Sequence, residues 1–239
     1  MLDPKYLHWL LEGAAVTVLL SLVVLLAALP LGMLACVMRL SRRRLLVNTV
    51  AAALSLLRNS PLLVQLFFWY FAVPALLPAA LRQWLNTPHS LAPALFGLSW
   101  PPLEYLAAFV ALALYASAFI AEECRAGVHA VPRGQRLAAR ALGMTEAQAW
   151  RHVVLPQALR IVRSPLLGQA MNVVKNTSLA MTIGVAELSY MARQVESQTF
   201  QAFQAFAVAT LLYVAIIAVL ELVNTRVGGG PRPIAAVGR

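Results

Sequence analysis

The sequence predicts an all-α integral membrane protein with five transmembrane helices, its N-terminus outside and its C-terminus inside. Three observations lead there. The chain is 61% hydrophobic and 12% charged, whereas a soluble domain carries roughly 25% charged residues. Its apolar runs reach the roughly 17–25 residues that a spanning helix needs. Its arginines fall on alternate loops, the pattern that orients membrane proteins.

Asp3 to Glu12 reads as a short amphipathic entry, with Tyr6 and Trp9 suited to the membrane interface. The first span covers about 13–38, is free of charge, and carries Pro30 and Gly32, where a kink can form. It is too long for a signal-peptide core and follows acidic rather than basic residues, so it reads as a retained helix. The second span covers about 47–73, with a kink at Ser60-Pro61 and an end at Pro74 and Pro78. Trp69 and Tyr70 fit its outer interface. Residues 79–102, with Pro88, Pro93, Pro101 and Pro102, read as an outer loop with a short interfacial helix. The third span, 103–121, ends at Glu122-Glu123. The fourth covers 164–187 and the fifth 200–223. Residues 1–225 form one membrane domain, and the Gly/Pro-rich tail 226–239 reads as disordered.

The net charge of +10 is distributed with a purpose. Basic clusters follow spans one, three and five: Arg39 and Arg42 to Arg44, then Arg125 to Arg163, then Arg226 onward. The other two loops hold only Arg82 and Arg193. This arrangement sets orientation and meets anionic membrane lipid; it is not a nucleic-acid footprint. Two cysteines, Cys36 and Cys124, read as reduced thiols, too few for a disulfide framework or a zinc site. Glu122, Glu123, His129 and His152 form no metal or acid–base motif, and no catalytic signature occurs.

The longest hydrophilic stretch, Glu122 to Arg163, contains a two-part helical segment at 134–157. Gln135 to Leu142 is rich in good helix formers. Gly143 can take the positive φ of a helix end. Thr145 and Gln148 fit a capping box for a second helix, which Pro156 stops or kinks near Leu155. Two short helices at a glycine corner make a compact knob. Physics alone leaves two readings open: a solvated hairpin, or a surface for a soluble partner.

These residues carry a family resemblance. Ala138-Ala139, Gly143, Val153 and Leu155-Pro156 fall at the spacings of the EAA loop of binding-protein-dependent ABC importers, with Leu137 where that loop begins with Glu. Arg58-Asn59-Ser60-Pro61-Leu62-Leu63-Val64-Gln65 resembles the Arg-Gly-Thr-Pro-Leu-Leu-Val-Gln of polar amino-acid permeases. Ala121-Glu122 with Arg125 and Gly127, Pro132 to Gln135, Lys175 to Leu179, and Gly184 to Leu188 follow in the family's order. The chain is therefore similar to the permease subunit of a polar amino-acid ABC importer, most of all the glutamate/aspartate type.

The resemblance implies a type I (MetI-like) transmembrane domain over 1–225 in the bacterial cytoplasmic membrane. It implies that Leu137, Ala138, Ala139, Gly143, Val153, Leu155 and Pro156 dock a separate ATPase pair, which uses ATP and Mg. The chain itself binds no cofactor on this reading and is not an enzyme; no GxxxxGK[ST] occurs. A second permease subunit, identical or homologous, and a periplasmic or lipoprotein amino-acid-binding protein complete the implied set. Ionisable residues inside spans are expensive and usually face a cavity or a partner. Arg58, Asn59, Lys175, Asn176, Thr177 and Ser178 are thus candidates for a substrate pathway. The alternative stays open that Arg58 and Lys175 only close internal ion pairs, for example to Glu187, or snorkel outward. Glu122 next to Arg125 reads as charge pairing at a helix end. Glutamine, histidine, arginine and cystine remain alternative substrates, and a stand-alone secondary transporter a more distant one.

Overall fold

The computed structural model describes residues 3–87 and 101–228, and every regular element in them is helical. α1 (Pro4–Arg39) begins at Asp3, whose carboxylate accepts the Lys5 N–H at 2.9 Å, with Pro4 in its first turn. The expected entry segment and first span are one helix, continuous through Pro30 and Gly32. Its buried residues, Leu10, Gly13, Thr17, Leu20, Val24, Ala28, Gly32 and Cys36 among them, recur at helical spacing along one face.

The second expected span is not one kinked helix. α2 (Arg44–Asn59) and α3 (Leu62–Phe67) are separate, and the chain turns by 103° between them. Ser60 is extended, and Pro61 has no N–H to continue the ladder. The Gln65 amide holds the corner, donating to the Leu57 carbonyl at 2.8 Å and to Ser60 Oγ at 2.9 Å. Nor does Pro74 end the helical path. A π turn at Phe68–Ala72 leads into α4 (Val73–Leu76), where Pro74 sits in the first turn and needs no donor. α5 (Ala79–Asn86) is a short helix within the stretch 79–102, where one was expected. The rest of that stretch, 88–100, and the tail from 229 onward lie outside the described residues.

α6 (Leu103–Ala130) runs past Glu122 by two turns. Its buried face is mostly alanine: Ala107, Ala108, Ala111, Ala116 and Ala121. Lipid tails are as apolar as leucine, so close packing of small side chains, rather than hydrophobic burial alone, holds such helices together. The main core joins Val24 and Ala28 of α1, Leu62 and Leu66 of α3, and Leu112 and Ile120 of α6. A smaller cluster seats Leu54 of α2 on Ala118 and Ala121 of α6.

α7 (Arg133–Ala141) and α8 (Glu146–Ala149) form the knob, followed by a π turn at Trp150–Val154 and then α9 (Leu155–Asn176). Pro156 was expected to stop or kink the second helix; it does not stop it, because the helical path runs on through the π turn into α9. Pro156 lies in the first turn of α9, and the widened turn just before it removes the need for its missing N–H.

The fourth expected span, 164–187, is also redrawn. Its helix starts earlier, at Leu155, and ends at Asn176. A 3₁₀ segment, Thr177–Ile183, follows and stops at Gly184 in the left-handed region, φ +93°. Thr177 and Ser178 turn their hydroxyls back onto the carbonyls of Val174 and Lys175, each at 2.7 Å. α10 (Leu188–Thr199) was not anticipated; it packs Leu188, Ala192 and Val195 against Leu10 of α1. α11 (Ala202–Gly228) completes the described chain. Among the described residues, α1, α6 and α11 are long and apolar enough to cross a membrane, and α2 with the helix after its corner is a fourth if counted as one span. α9, with Arg160, Arg163 and Lys175 along it, is not among them.

Candidate functional site: the coupling knob and the polar cleft

The knob is built by local signals. Gly143 takes φ +85°, a region that costs an L side chain about 1–2 kcal/mol. The Thr145 hydroxyl accepts the Gln148 N–H at 3.3 Å, and Gln148 Oε1 accepts the Thr145 N–H at 2.8 Å. This closes the expected capping box. Glu146 reaches back across the corner to Arg136 at 3.6 Å and Arg140 at 3.9 Å. Ala139 and Ala149 are buried inside. Ala138, Gly143 and Pro156 are exposed, Val153 is half-buried, and Leu155 is largely exposed.

Leu137 is 62% exposed and Leu142 82%. Two bare leucines on a charged loop suit an apolar contact with another protein. The knob's base is a cluster of Val131, Val154 and Ala158 with Val128 and Trp150. Gly127 lets α6 and α9 meet there, since a Cβ at that position would collide with Val162 Cγ1.

Where α1, α2 and α6 converge, one carboxylate collects three guanidinium groups. Glu122 pairs with Arg39, with Arg125 at 3.0 Å and with Arg58 at 3.6 Å. Arg58 also lies over the Phe119 ring, 5.5 Å from its centre. The internal partner of Arg58 is therefore Glu122, not Glu187. Glu187 meets no basic side chain among the described residues. It is fully buried and caps α10, accepting the Tyr190 N–H at 2.8 Å and the Tyr213 hydroxyl at 2.6 Å. Its neighbour Leu188 donates its N–H to Thr17 Oγ1 at 3.2 Å, so the same corner is fastened to α1.

A cleft of about 210 Å³ opens between α6 and α9. Leu112, Tyr115 and Phe119 form one wall, and Gln169, Asn172 and Asn176 the other. Of the residues expected along a pathway, Asn176 lines this cleft. Asn59 donates to Ser55 Oγ at 2.9 Å instead, and Thr177 is fully buried. Lys175 is exposed and has no ion pair among the described residues. Gln169 and Asn172 escaped the reading of the sequence, which followed charged groups. Their spacing with Asn176, three and then four residues, was the available signal, because it puts three amides on one helix face.

Comparisons with known proteins identify the family. Residues 28–230 match the family described as the binding-protein-dependent transport system inner membrane component. The chain is 35% identical over 226 residues to the glutamate/aspartate import permease protein GltJ of Escherichia coli (strain K12), covering 94% of this chain and 88% of that protein. It is 36% identical over 206 residues to the probable glutamine ABC transporter permease protein GlnM of Bacillus subtilis (strain 168), covering 86% and 85%. The crystal structure of an amino acid ABC transporter with histidines superposes with a TM-score of 0.80 at 26% identity, over 95% of this chain and 98% of that one. An inward-facing MetNI methionine ABC transporter shares the fold, with a TM-score of 0.70 at 20% identity over 95% and 98%. With nearly the whole chain matched, this protein belongs to the family of inner membrane components of binding-protein-dependent transport systems.

Proposed function

We propose that the chain is the membrane-spanning permease subunit of an ATP-driven, binding-protein-dependent importer of polar amino acids, with glutamate and aspartate favoured. The observation that carries this reading is the path of α9. One helix of 22 residues begins at the knob and ends at Asn176 beside the polar cleft. At 1.5 Å per residue it spans about 33 Å, continuous through Pro165, so a push on the knob is carried toward the cleft along one helix. The π turn at its start is a local widening of the helix, a feature common at functional sites.

In this reading a separate ATPase pair binds ATP and Mg, closes, and drives the knobs of two permease subunits together. Leu137, Ala138, Ala139, Gly143, Val153, Leu155 and Pro156 form the docking surface. The protein has five spans in the bacterial cytoplasmic membrane, counting α9 with its 3₁₀ extension, and the N-terminus lies outside. The arginines at the knob end support that orientation. A binding protein delivers the amino acid from the outer side. The amides of Gln169, Asn172 and Asn176 offer donors and acceptors to its ammonium and carboxylate, and Lys175, next to Asn176 in the chain and without an ion pair among the described residues, offers a cation for an acidic side chain.

A second reading has its own observation. The cleft wall itself carries neutral amides and no cation, which suits a neutral polar substrate such as glutamine. Uptake of radiolabelled glutamate into vesicles holding the permease, its ATPase and its binding protein separates the two. Unlabelled glutamate and aspartate are expected to suppress the signal more strongly than glutamine does; the reverse order supports the neutral substrate.

A further inference from the structure

A second cavity, of about 390 Å³, lies at the base of the knob, apart from the cleft between α6 and α9. Its walls come from three places: Leu40 at the end of α1, His129 to Arg136 across the α6–α7 turn, and Trp150 with Val154 on the π turn. His129, Arg133 and Arg136 line it, and no carboxylate does. Arg136 is held by Glu146 at 3.6 Å. Arg133 and His129 have no ion pair or side-chain hydrogen bond among the described residues. The nearby carboxylate of Glu122 is already shared by three arginines. Arg42, Arg43 and Arg44, all exposed, begin two residues after Leu40 and raise the positive potential on that side.

We propose that this cavity binds a phosphate group, supplied by the headgroup of an anionic membrane phospholipid. The planar guanidinium fork matches phosphate oxygens in pairs, and the volume is in the range of roughly 300–1,000 Å³ typical of small-molecule sites. A free phosphate would meet the same cations. The rest of the lining decides for the lipid: Leu40, Val131 and Val154 are apolar, and the Trp150 indole suits the boundary between headgroup and acyl chain. Leu40 also caps the helix most clearly built to cross the membrane, so the cavity stands where a span ends. A headgroup seated there touches α1, the α6–α7 turn and the π turn together. It holds the knob in register with the spans, and its loss loosens that joint.

The test uses the assembled transporter in nanodiscs of phosphatidylcholine with a minor fraction of phosphatidylglycerol. Lipid retained on the complex is counted by native mass spectrometry, and inorganic phosphate is titrated against the delipidated complex in parallel. The wild type is expected to retain phosphatidylglycerol several-fold above its bulk fraction. His129→Ala combined with Arg133→Gln should bring it down to that fraction, while Arg133→Lys, which keeps the charge but not the fork, retains an intermediate enrichment. Phosphate binding without lipid enrichment keeps the phosphate site but makes its source soluble. Equal retention in wild type and double variant, with no phosphate binding, overturns the proposal. Should the double variant fail to assemble, the wild type alone decides. Its melting temperature rises with phosphatidylglycerol or phosphate if the site exists, and the absence of both shifts, together with no lipid enrichment, rejects it.

Discussion

Gly143 and Lys175 are the residues on which the mechanism can be tested one atom group at a time. Gly143 turns the knob's corner at φ +85°, with open space around the place a side chain would occupy. Steric collision is therefore not the obstacle; backbone strain is. Gly143→Val adds a β-branched side chain where the left-handed region already costs about 1–2 kcal/mol. The expected outcome is a lowered ratio of uptake to ATP hydrolysis, or loss of the ATPase from the purified complex. Normal coupled transport would show that the corner is not a joint. Lys175 is exposed and has no ion pair among the described residues, and on the proposed function a cation inside a span calls for water or a ligand. Lys175→Gln is expected to reduce glutamate uptake several-fold while assembly, followed by gel filtration, is unchanged. The sequence pointed to Lys175 because it is charged. It did not point to Gln169 or Asn172, because an amide in an apolar run looks like a tolerated polar residue until its helix face is known. It also offered no hint that Arg39 and Arg58 share Glu122, since chain separation hides such a convergence.

At the scale of elements, the corners of the fold explain both what was legible and what was not. The knob's Gly143, Thr145 and Gln148 act within a few residues of one another, so pattern alone located the turn and the cap. The corner between α2 and α3 is different. Ser60-Pro61 announces a break but not its size; the 103° turn depends on Gln65 bonding back to Leu57 and Ser60 and on Leu54 seating against α6. Gln65→Leu removes those bonds and leaves the half-buried Leu57 carbonyl without this donor, a loss of about 1 kcal/mol. Removing Gln65 Oε1, which is buried without a partner, offsets part of that. A lower melting temperature of the purified complex is the expected result; an unchanged one would mean that packing alone holds the corner. Prolines misled in the same physical way twice. Pro74 read as a helix end and Pro156 as a stop or kink, yet each follows a π turn and lies in the first turn of a further helical segment. Where one helix turn widens is set by tertiary packing, which no local pattern records.

For the whole molecule, α1, α6 and α9 form a frame with the knob at one end and the Glu187 corner at the other. The all-helical class and the place of the two-helix knob were legible because hydropathy and charge act over many residues. The fourth segment was less so: its helix is drawn from the knob, not from the edge of the apolar run. On the proposed function, this continuity from knob to cleft carries the stroke of a separate ATPase into the membrane domain. Uptake of labelled glutamate into proteoliposomes containing the purified chain, with the ATPase, the binding protein and ATP each present or omitted, tests it directly. Accumulation that needs all three is the expected result, and accumulation by the chain alone, without ATPase or ATP, would contradict it.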